Sequence, residues 1–331
     1  MKLEYEVFAV DEEFHSLWDV DIHETNDEFL RNFNVDYFDQ IGDLLAPSLD
    51  DESTAHAAAL AIRTFFSQAV ETLFALMFAA VQAPHVPLGW LLKYYPRDLS
   101  KVVRKFQDGV AFPTVFNIEI GSWQQLAYIF NPFQTENAAE GEALKQGFSD
   151  FWSWLASEFV EESYKNEYNS LKHGLRVRQG GYAAIYGGHV LSSSSFGSSF
   201  FVSKSLARTK SHFWAERCSR NWDPRGMCTA LSSISASINN IVSSLRLLRG
   251  EANENLSFHG PIKAEDFKAS WANPKCLGTI QFNRAPIEER HLPDLSEQRL
   301  RELYDKRRID FLALSASEVH LAPNQVGRTD A

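Results

Sequence analysis

The sequence predicts a mainly α protein, a bundle of long helices with a small β insertion between the last two of them. Three segments, about 53–83, 141–173 and 224–249, repeat apolar residues every three or four positions, as helices with one buried face do. A stretch at about 175–205 instead shows glycine pairs, alternation and a serine cluster, which is typical of short strands and turns. With 44% apolar and 23% charged residues, the composition is that of a globular protein and excludes a disordered chain.

The first helix follows Ser53, a good N-terminal residue, and Pro84 ends it. The run 73–81 is apolar on all sides, but it is much shorter than the roughly 20 residues that a membrane span needs. We therefore expect a helix buried in the core, and no membrane partner. One polar stripe follows the i, i+4, i+8 spacing and consists of Arg63, Ser67 and Glu71.

The second and third helices end at glycines. A core-facing stripe runs through the second, and Gly174 suits the position just past its last residue. The third has Asp223 as a cap, Pro224 in its first turn and Gly250 as its stop. Its second face is small and polar and lets a neighbouring element approach closely; it consists of Ser232, Ser233, Ser235, Asn239 and Ser243.

These elements divide the chain into three parts. Residues 1–52 form an acidic N-terminal segment, 53–250 a helical core with insertions, and 251–331 a polar C-terminal extension with one charged helix at 294–309. Prolines punctuate 84–140, where LGWLLKYY and PRDLSKVVRKF suit short helices, and TVFNIEI and LAYIFN suit strands or buried turns.

Charge is distributed unevenly. The net charge is −11, yet residues 165–225 hold ten Lys or Arg against three acidic residues, while 1–52 hold 16 acidic residues against two basic ones. An acidic chain is a poor general nucleic-acid binder, because phosphate contacts dominate that affinity. A local basic segment can still bind a phosphate-bearing ligand such as RNA or a nucleotide. Alternatively, the acidic segment folds back on the basic one, or both are simply solvated.

The best chemical signal is the segment YNSLKHG at 168–174. On a helix, Asn169, Lys172 and His173 share one face, and Lys165 and Arg176 extend it. A neutral imidazole is a competent general base near pH 7, and nearby cations stabilise a phosphate in a transition state. We therefore take His173, Asn169 and Lys172 as candidate catalytic residues. The candidate phosphate-binding residues are Lys165, Arg176 and Arg178.

This segment resembles the motif of the HEPN superfamily, in which an Arg, a polar residue and a His lie near the end of a long helix. Asn169 matches the polar position and His173 the His, whereas Tyr168 stands where the Arg belongs. The resemblance implies an all-α bundle, often dimeric, and in many members metal-independent endoribonuclease activity. Family members occur in bacterial stress responses and phage defence. The resemblance implies that His173 would act on the ribose 2′-hydroxyl, and that Arg176 would supply the guanidinium missing at Tyr168.

Three hypotheses follow from these observations. The chain is an active metal-independent endoribonuclease that uses His173; or it is a HEPN-like module that binds RNA or a nucleotide without catalysis; or it is a dimeric interaction protein. In a fourth interpretation, the Lys, His and Gly at 172–174 only cap a helix C-terminus. We predict a homodimer in each of the first three cases.

The sequence predicts no metal site and no cofactor. His15 and His23 flank an acidic stretch without further spaced ligands, and GGYAAIYGG is better explained by a turn and a strand than by a phosphate loop. The three cysteines form no CxxC pair, which fits a reducing cytosol. The first residues lack the pattern of a signal peptide, so we expect a cytoplasmic protein.

Overall fold

A computed structural model describes residues 5–18, 21–113, 118–132, 137–186, 189–205 and 213–260, with further single positions at 265, 267–268, 298–299 and 301–306. The chain divides into two units, one of residues 1–202 with 217–283 and one of residues 203–216 with 284–331. The protein is mainly α with small antiparallel sheets, which confirms the predicted fold class.

The helices are α1 Ile22–Asn32, α2 Tyr37–Leu45, α3 Ala55–Gln82, α4 Pro87–Lys93, α5 Pro96–Gln107, α6 Trp123–Phe130, α7 Ala138–Val160, α8 Glu162–Lys172 and α9 Pro224–Leu248. The strands are β1 Tyr5–Val10, β2 Glu13–Trp18, β3 Phe112–Pro113, β4 Glu119–Ile120, β5 Val177–Gln179, β6 Ala183–Tyr186, β7 His189–Ser193, β8 Gly197–Ser205 and β9 Phe213–Asn221.

Helix α3 is the centre of the first unit. It packs against α9, and its buried residues face every direction, which explains its all-round apolar run. By length and composition α3 could cross a membrane, but 72% of its most apolar window is buried inside the protein. It is therefore a core helix, as the sequence predicts. Arg63 and Ser67 of the polar stripe are buried as well, while Glu71 is only half-buried.

The prediction of one continuous helix over 141–173 is wrong. It consists of α7 and α8, which are separated at Glu161, a residue with extended backbone (φ −63°, ψ 137°). The apolar stripe continues across this break, so its spacing gives no sign of it. The carboxylate of Glu161 accepts a hydrogen bond from the Ser163 hydroxyl (2.9 Å), and acidic residues at 161 and 162 suit a new helix N-terminus.

The proline-punctuated stretch holds more helix than the sequence suggests. α4 and α5 confirm the two predicted short helices, but LAYIFN, expected as strand or buried turn, belongs to α6. A capping box starts α6: the Ser122 hydroxyl accepts from the Gln125 amide (3.2 Å), and the Gln125 side chain accepts from the Ser122 amide (3.1 Å). This local signal outweighs the β propensity of the apolar run.

The β insertion is longer than predicted. Strands β5, β8 and β9 form one antiparallel sheet, β6 and β7 form a hairpin, and β9 ends at Asn221 rather than near 205. Two glycines allow the backbones to approach. A Cβ at Gly181 would lie 2.1 Å from the Ser194 carbonyl oxygen, and one at Gly197 would lie 2.4 Å from that of Arg220. Gly181 and Gly197 therefore serve close packing of the backbone.

The described part of the acidic N-terminal segment packs within the first unit, to which it belongs. Hairpin β1–β2, α1 and α2 contribute Phe8, Leu30 and Phe38 to the core, and α2 packs against α9. Two ion pairs join this segment to the ends of α9, Asp50 with Arg225 and Asp27 with Arg249.

The small polar face of α9 holds a neighbouring segment, as its composition predicts. We call residues 256–260 the strap. Asn240 donates to the His259 carbonyl oxygen (2.7 Å) and accepts from the His259 amide (2.7 Å). It also donates to the Asn131 side chain (2.7 Å), and Asn239 donates to the Ser257 carbonyl oxygen (2.8 Å). Buried side-chain amides thus replace backbone partners for an irregular segment.

In the second unit, the structure describes strand residues 203–205 and 213–216 and the helical residues 298–299 and 301–306. Those helical residues lie within the predicted charged helix 294–309, and Arg299 pairs with Glu302 (2.9 Å).

Candidate functional site

A cavity of about 440 Å³ lies between α5 and α8, closed by the end of α7 and by one side chain of α3. Four of the six predicted site residues line it, namely Lys165, Asn169, Lys172 and His173. The other lining residues are Glu71, Pro96, Arg97, Ser100, Lys101, Arg104, Phe159, Tyr164 and Tyr168. The segment singled out from the sequence therefore forms one wall of a concave site.

The opposite wall is a basic face of α5 that the sequence analysis missed. Arg97, Lys101 and Arg104 follow the i, i+4, i+7 spacing, so all three project from one side of the helix. Pro96 at the first turn and the hydrogen bond from the Tyr95 amide to Asp98 (3.3 Å) fix where that helix begins. The spacing in PRDLSKVVRKF was the signal available in the sequence.

The two walls together present an excess of positive charge. Among the residues that the structure describes, five Lys or Arg side chains line the cavity and Glu71 is its single lining carboxylate. Asp98, on the same helix turn, lies 3.6 Å from Arg97 and 4.0 Å from Lys101 and partly neutralises them. Burial and the nearby Arg104 lower the pKa of Lys165, against a smaller opposite effect of Glu162. The cavity is therefore an environment that disfavours further positive charge.

The inner wall combines aromatic rings with the carboxylate. Tyr168 donates its hydroxyl to Glu71 (2.9 Å), and burial together with Glu71 raises the pKa of Tyr168. The Lys172 ammonium lies 5.4 Å from the centre of the Tyr168 ring, which adds a cation–π contact. Burial raises the pKa of Tyr164 to about 12. Both phenols therefore stay neutral at physiological pH.

His173 lies at the rim. It is the C-terminal flanking residue of α8, its backbone amide donates to the Asn169 carbonyl oxygen (3.0 Å), and it is exposed. Gly174 follows in the left-handed region (φ +87°), where glycine is favoured. The capping interpretation therefore accounts for Gly174, while the side chains of Lys172 and His173 remain available to the cavity.

Arg176 and Arg178 do not line the cavity. Arg176 follows α8, where its amide donates to the Ser170 carbonyl oxygen (2.7 Å), and Arg178 pairs with Ser199 in the β5–β8 ladder. Both are exposed. Of the aromatics in the basic segment, Trp222 is buried and donates to Glu167 (2.8 Å), so it offers no face for stacking a base. The side chains of Phe213 and Trp214 lie outside the described residues.

A buried ionic network behind the cavity was also missed. We call Arg63, Glu167 and Arg220 the buried triad. One carboxylate oxygen of Glu167 accepts from Arg63 Nε (3.1 Å) and Nη2 (2.6 Å), while Arg220 Nε lies 3.7 Å away. The second oxygen accepts from Ser198 (2.5 Å) and Trp222 (2.8 Å). Burial raises the pKa of Glu167, but the two arginines and Ser198 together lower it below its ordinary value.

The buried triad joins three parts of the fold. Arg63 belongs to α3, Glu167 to α8 and Arg220 to β9, and Arg220 also reaches Glu158 of α7 (2.7 Å). The Tyr164 ring lies 5.0 Å from the Arg63 guanidinium and 5.8 Å from that of Arg220. Because α8 carries Glu167 on one side and the cavity residues on the other, the buried triad fixes how α8 presents them.

Among the described residues, no group of three or more His, Cys, Asp or Glu side chains is arranged to hold a metal ion. His23 instead pairs with Glu6 (3.0 Å), and the His15 ring packs on Phe8, 5.7 Å between ring centres. Burial raises the pKa of the Cys228 thiol, which makes it a weaker nucleophile.

No family model, no curated protein and no solved structure matches this chain. The geometry and charge of the cavity between α5 and α8 are therefore the guide to function.

Proposed function

We propose that the cavity between α5 and α8 binds a phosphate-bearing ligand, a nucleotide or an RNA segment. The observation that carries the proposal is the meeting of two basic helix faces across one cavity in a chain of net charge −11. Like charges that face each other destabilise the empty site, so an anion that bridges them is stabilised by both walls. Because positive side chains cluster in one cavity of an acidic chain, a binding role for them is favoured over mere exposure to solvent.

The size and lining of the cavity support a ligand larger than a single phosphate. A volume of about 440 Å³ falls within the range of small-molecule sites. Tyr168 is half-buried and supplies ring surface beside the cations, and bases stack on such rings. Phe159 and Tyr164 also line the cavity, but both are buried. Asn169 and Ser100 add neutral hydrogen-bonding groups.

Titration calorimetry with ATP, GTP and a short single-stranded RNA tests this proposal. We expect binding that weakens as salt is added, because exposed cations are screened. The double variant Arg97→Ala, Lys101→Ala should reduce the affinity at least tenfold, since each cation contacts the anion directly. The matched control is Arg176→Ala, Arg178→Ala, which removes the same amount of positive charge outside the cavity and should leave the affinity within about twofold.

Two results would contradict the proposal. One is wild-type protein that binds none of these ligands at low salt. The other is an equal loss of affinity in both double variants, which would assign the binding to net charge rather than to the cavity. Thermal melts of all variants show whether each remains folded.

A second candidate function is metal-independent cleavage of RNA. The observation that favours it is that His173, Asn169 and Lys172 line the same cavity as the α5 cations, so an imidazole would lie beside a bound phosphate. The ribonuclease assay is run with a chelator on wild type and His173→Ala. Cleavage that survives the chelator and needs His173 supports this function, whereas cleavage that His173→Ala leaves unchanged rules it out.

In either case we propose a HEPN-like protein of the cytosol that acts as a homodimer, as the sequence predicts. The cytosolic assignment is supported by the cysteine pattern and by the buried position of α3. Light scattering on the purified chain tests the dimer, and a mass equal to one chain would exclude it. A dimer without any ligand binding would favour the interaction protein.

A further inference from the structure

We infer that the ligand is a guanine nucleotide, with its phosphates against the cations of α5 and α8 and its base against Glu71. This inference depends on the proposed binding function and names the base that the cavity selects. Within the cavity, the positive side chains lie apart from the Glu71 carboxylate. Among the described residues, no Lys or Arg nitrogen lies within 4.0 Å of the Glu71 carboxylate, although five such side chains line the same cavity.

The cations and the carboxylate therefore remain available to different parts of one ligand. Four of the five cations, Arg97, Lys101, Arg104 and Lys172, are exposed and lie toward solvent. Glu71 is half-buried on α3, among Tyr164, Tyr168 and Phe159. A matching ligand is anionic at its outer end and presents an aromatic ring with hydrogen-bond donors at its inner end.

The carboxylate has free acceptor capacity. Oε2 of Glu71 accepts the Tyr168 hydroxyl, while Oε1 accepts no hydrogen bond from any described residue. A carboxylate offers about four lone-pair positions, so a half-buried one with a single protein donor can accept further hydrogen bonds from a ligand. The Tyr164 hydroxyl, buried in the same wall, also has no hydrogen bond of standard geometry within the described part, although Ser67 lies near it.

Guanine meets this requirement best among the common bases. Its Watson–Crick edge places the N1–H and the exocyclic N2–H₂ donors side by side, which matches two carboxylate oxygens. Adenine and cytosine present one amino donor next to a ring-nitrogen lone pair that the carboxylate repels. Uracil presents a single N–H between two carbonyl oxygens. Enzymes that hold a single base read this edge with hydrogen bonds and stack the ring on aromatic side chains.

Calorimetric titration of the full chain with GMP, IMP, AMP and UMP tests the inference. IMP retains the ring N–H of GMP but lacks the 2-amino group, so it measures the second donor alone. We expect GMP to bind about tenfold or more tightly than AMP or UMP, as for a bidentate contact to a base, with IMP in between. Glu71→Gln should bring the four affinities to within about threefold of one another, since one acceptor becomes a donor.

Two variants separate this inference from the proposed function. Tyr168→Phe removes the hydroxyl but keeps the carboxylate, so the preference for GMP should persist. Arg97→Ala with Lys101→Ala should weaken all four nucleotides by the same factor. If all four bind equally to the wild type, or if Glu71→Gln retains the preference for GMP, the inference is overturned while the binding function stands. If the four nucleotides, inorganic pyrophosphate and the short single-stranded RNA all fail to bind, the proposed function fails as well.

Discussion

The hydroxyl of Tyr168 donates to the Glu71 carboxylate across 2.9 Å, and this hydrogen bond joins α8 to α3 at the inner wall of the cavity. In the resemblance to the HEPN motif that the sequence suggests, Tyr168 stands in place of an arginine. The phenol is neutral and is held by a carboxylate. The positive charge of this site comes instead from Lys165 and Lys172 on the same helix and from the facing side of α5.

Removal of the Tyr168 hydroxyl should therefore destabilise the fold measurably. We expect Tyr168→Phe to lower the free energy of unfolding by about 1–2 kcal/mol, because a hydrogen bond to a half-buried carboxylate is lost. Urea denaturation followed by circular dichroism measures the change. Tyr5→Phe, at an exposed position of β1, is the matched control and should have little effect. Equal stability of Tyr168→Phe and wild type would mean that this contact contributes nothing.

Neutralising the carboxylate of the buried triad should be more costly. Glu167→Gln leaves the guanidinium groups of Arg63 and Arg220 buried without their shared counter-charge, and we expect a loss of about 3–5 kcal/mol. The added change Arg63→Met should recover part of that loss, because the double variant buries one charge fewer. Chemical denaturation of the single and double variants gives the coupling. Additive losses would show that the two side chains act independently.

Acid should destabilise the protein through the same carboxylate. Arg63, Arg220 and Ser198 outweigh burial and hold the pKa of Glu167 in the folded state below the ordinary value of 4.5. A group with a lowered folded pKa contributes stability above its unfolded pKa and loses it as pH falls through the folded pKa. We expect unfolding free energy to fall below pH 4.5, and less steeply in Glu167→Gln. An unchanged pH profile in that variant would contradict this assignment.

Removal of the Asn240 side chain of α9 should free the strap at His259. Asn240→Ala deletes the donor to the His259 carbonyl oxygen and the acceptor of the His259 amide, so both backbone groups lose their partner. We expect a loss of about 2–3 kcal/mol and fast hydrogen exchange at the His259 amide. Amide exchange read by mass spectrometry or NMR tests this. Slow exchange in Asn240→Ala would show that another group protects the strap.

The long-period features of the fold could be predicted from the sequence. α3 and α9 each bury a continuous apolar pattern and begin and end near residues with clear capping or stop chemistry, so periodicity located them within a few residues. The break at Glu161 could not be found in this way, because the stripe keeps its helical spacing on both sides of it. In α6, local capping outweighed strand propensity.

Half of the candidate site could be predicted from the sequence, and the other half could not. Lys165, Asn169, Lys172 and His173 lie on one helix face, so spacing alone groups them. The α5 residues come from a segment some 60 positions earlier, and only the tertiary fold shows that the two faces meet. Arg63 and Glu167 are farther apart still, by 104 residues, and nothing in either local pattern predicts that they pair.

The buried triad also has a consequence for when the two walls of the cavity can form during translation. Its α5 wall is complete by residue 107, but Glu167 on the facing helix is satisfied only when Ser198, Arg220 and Trp222 are in place. Domains fold as units while translation proceeds from the N-terminus. When translation has just completed α8, the Glu167 carboxylate therefore still lacks Ser198 and Trp222 as hydrogen-bond donors. We therefore expect the α8 wall of the cavity to reach its final surroundings only after residue 222 has been made, well after its own residues.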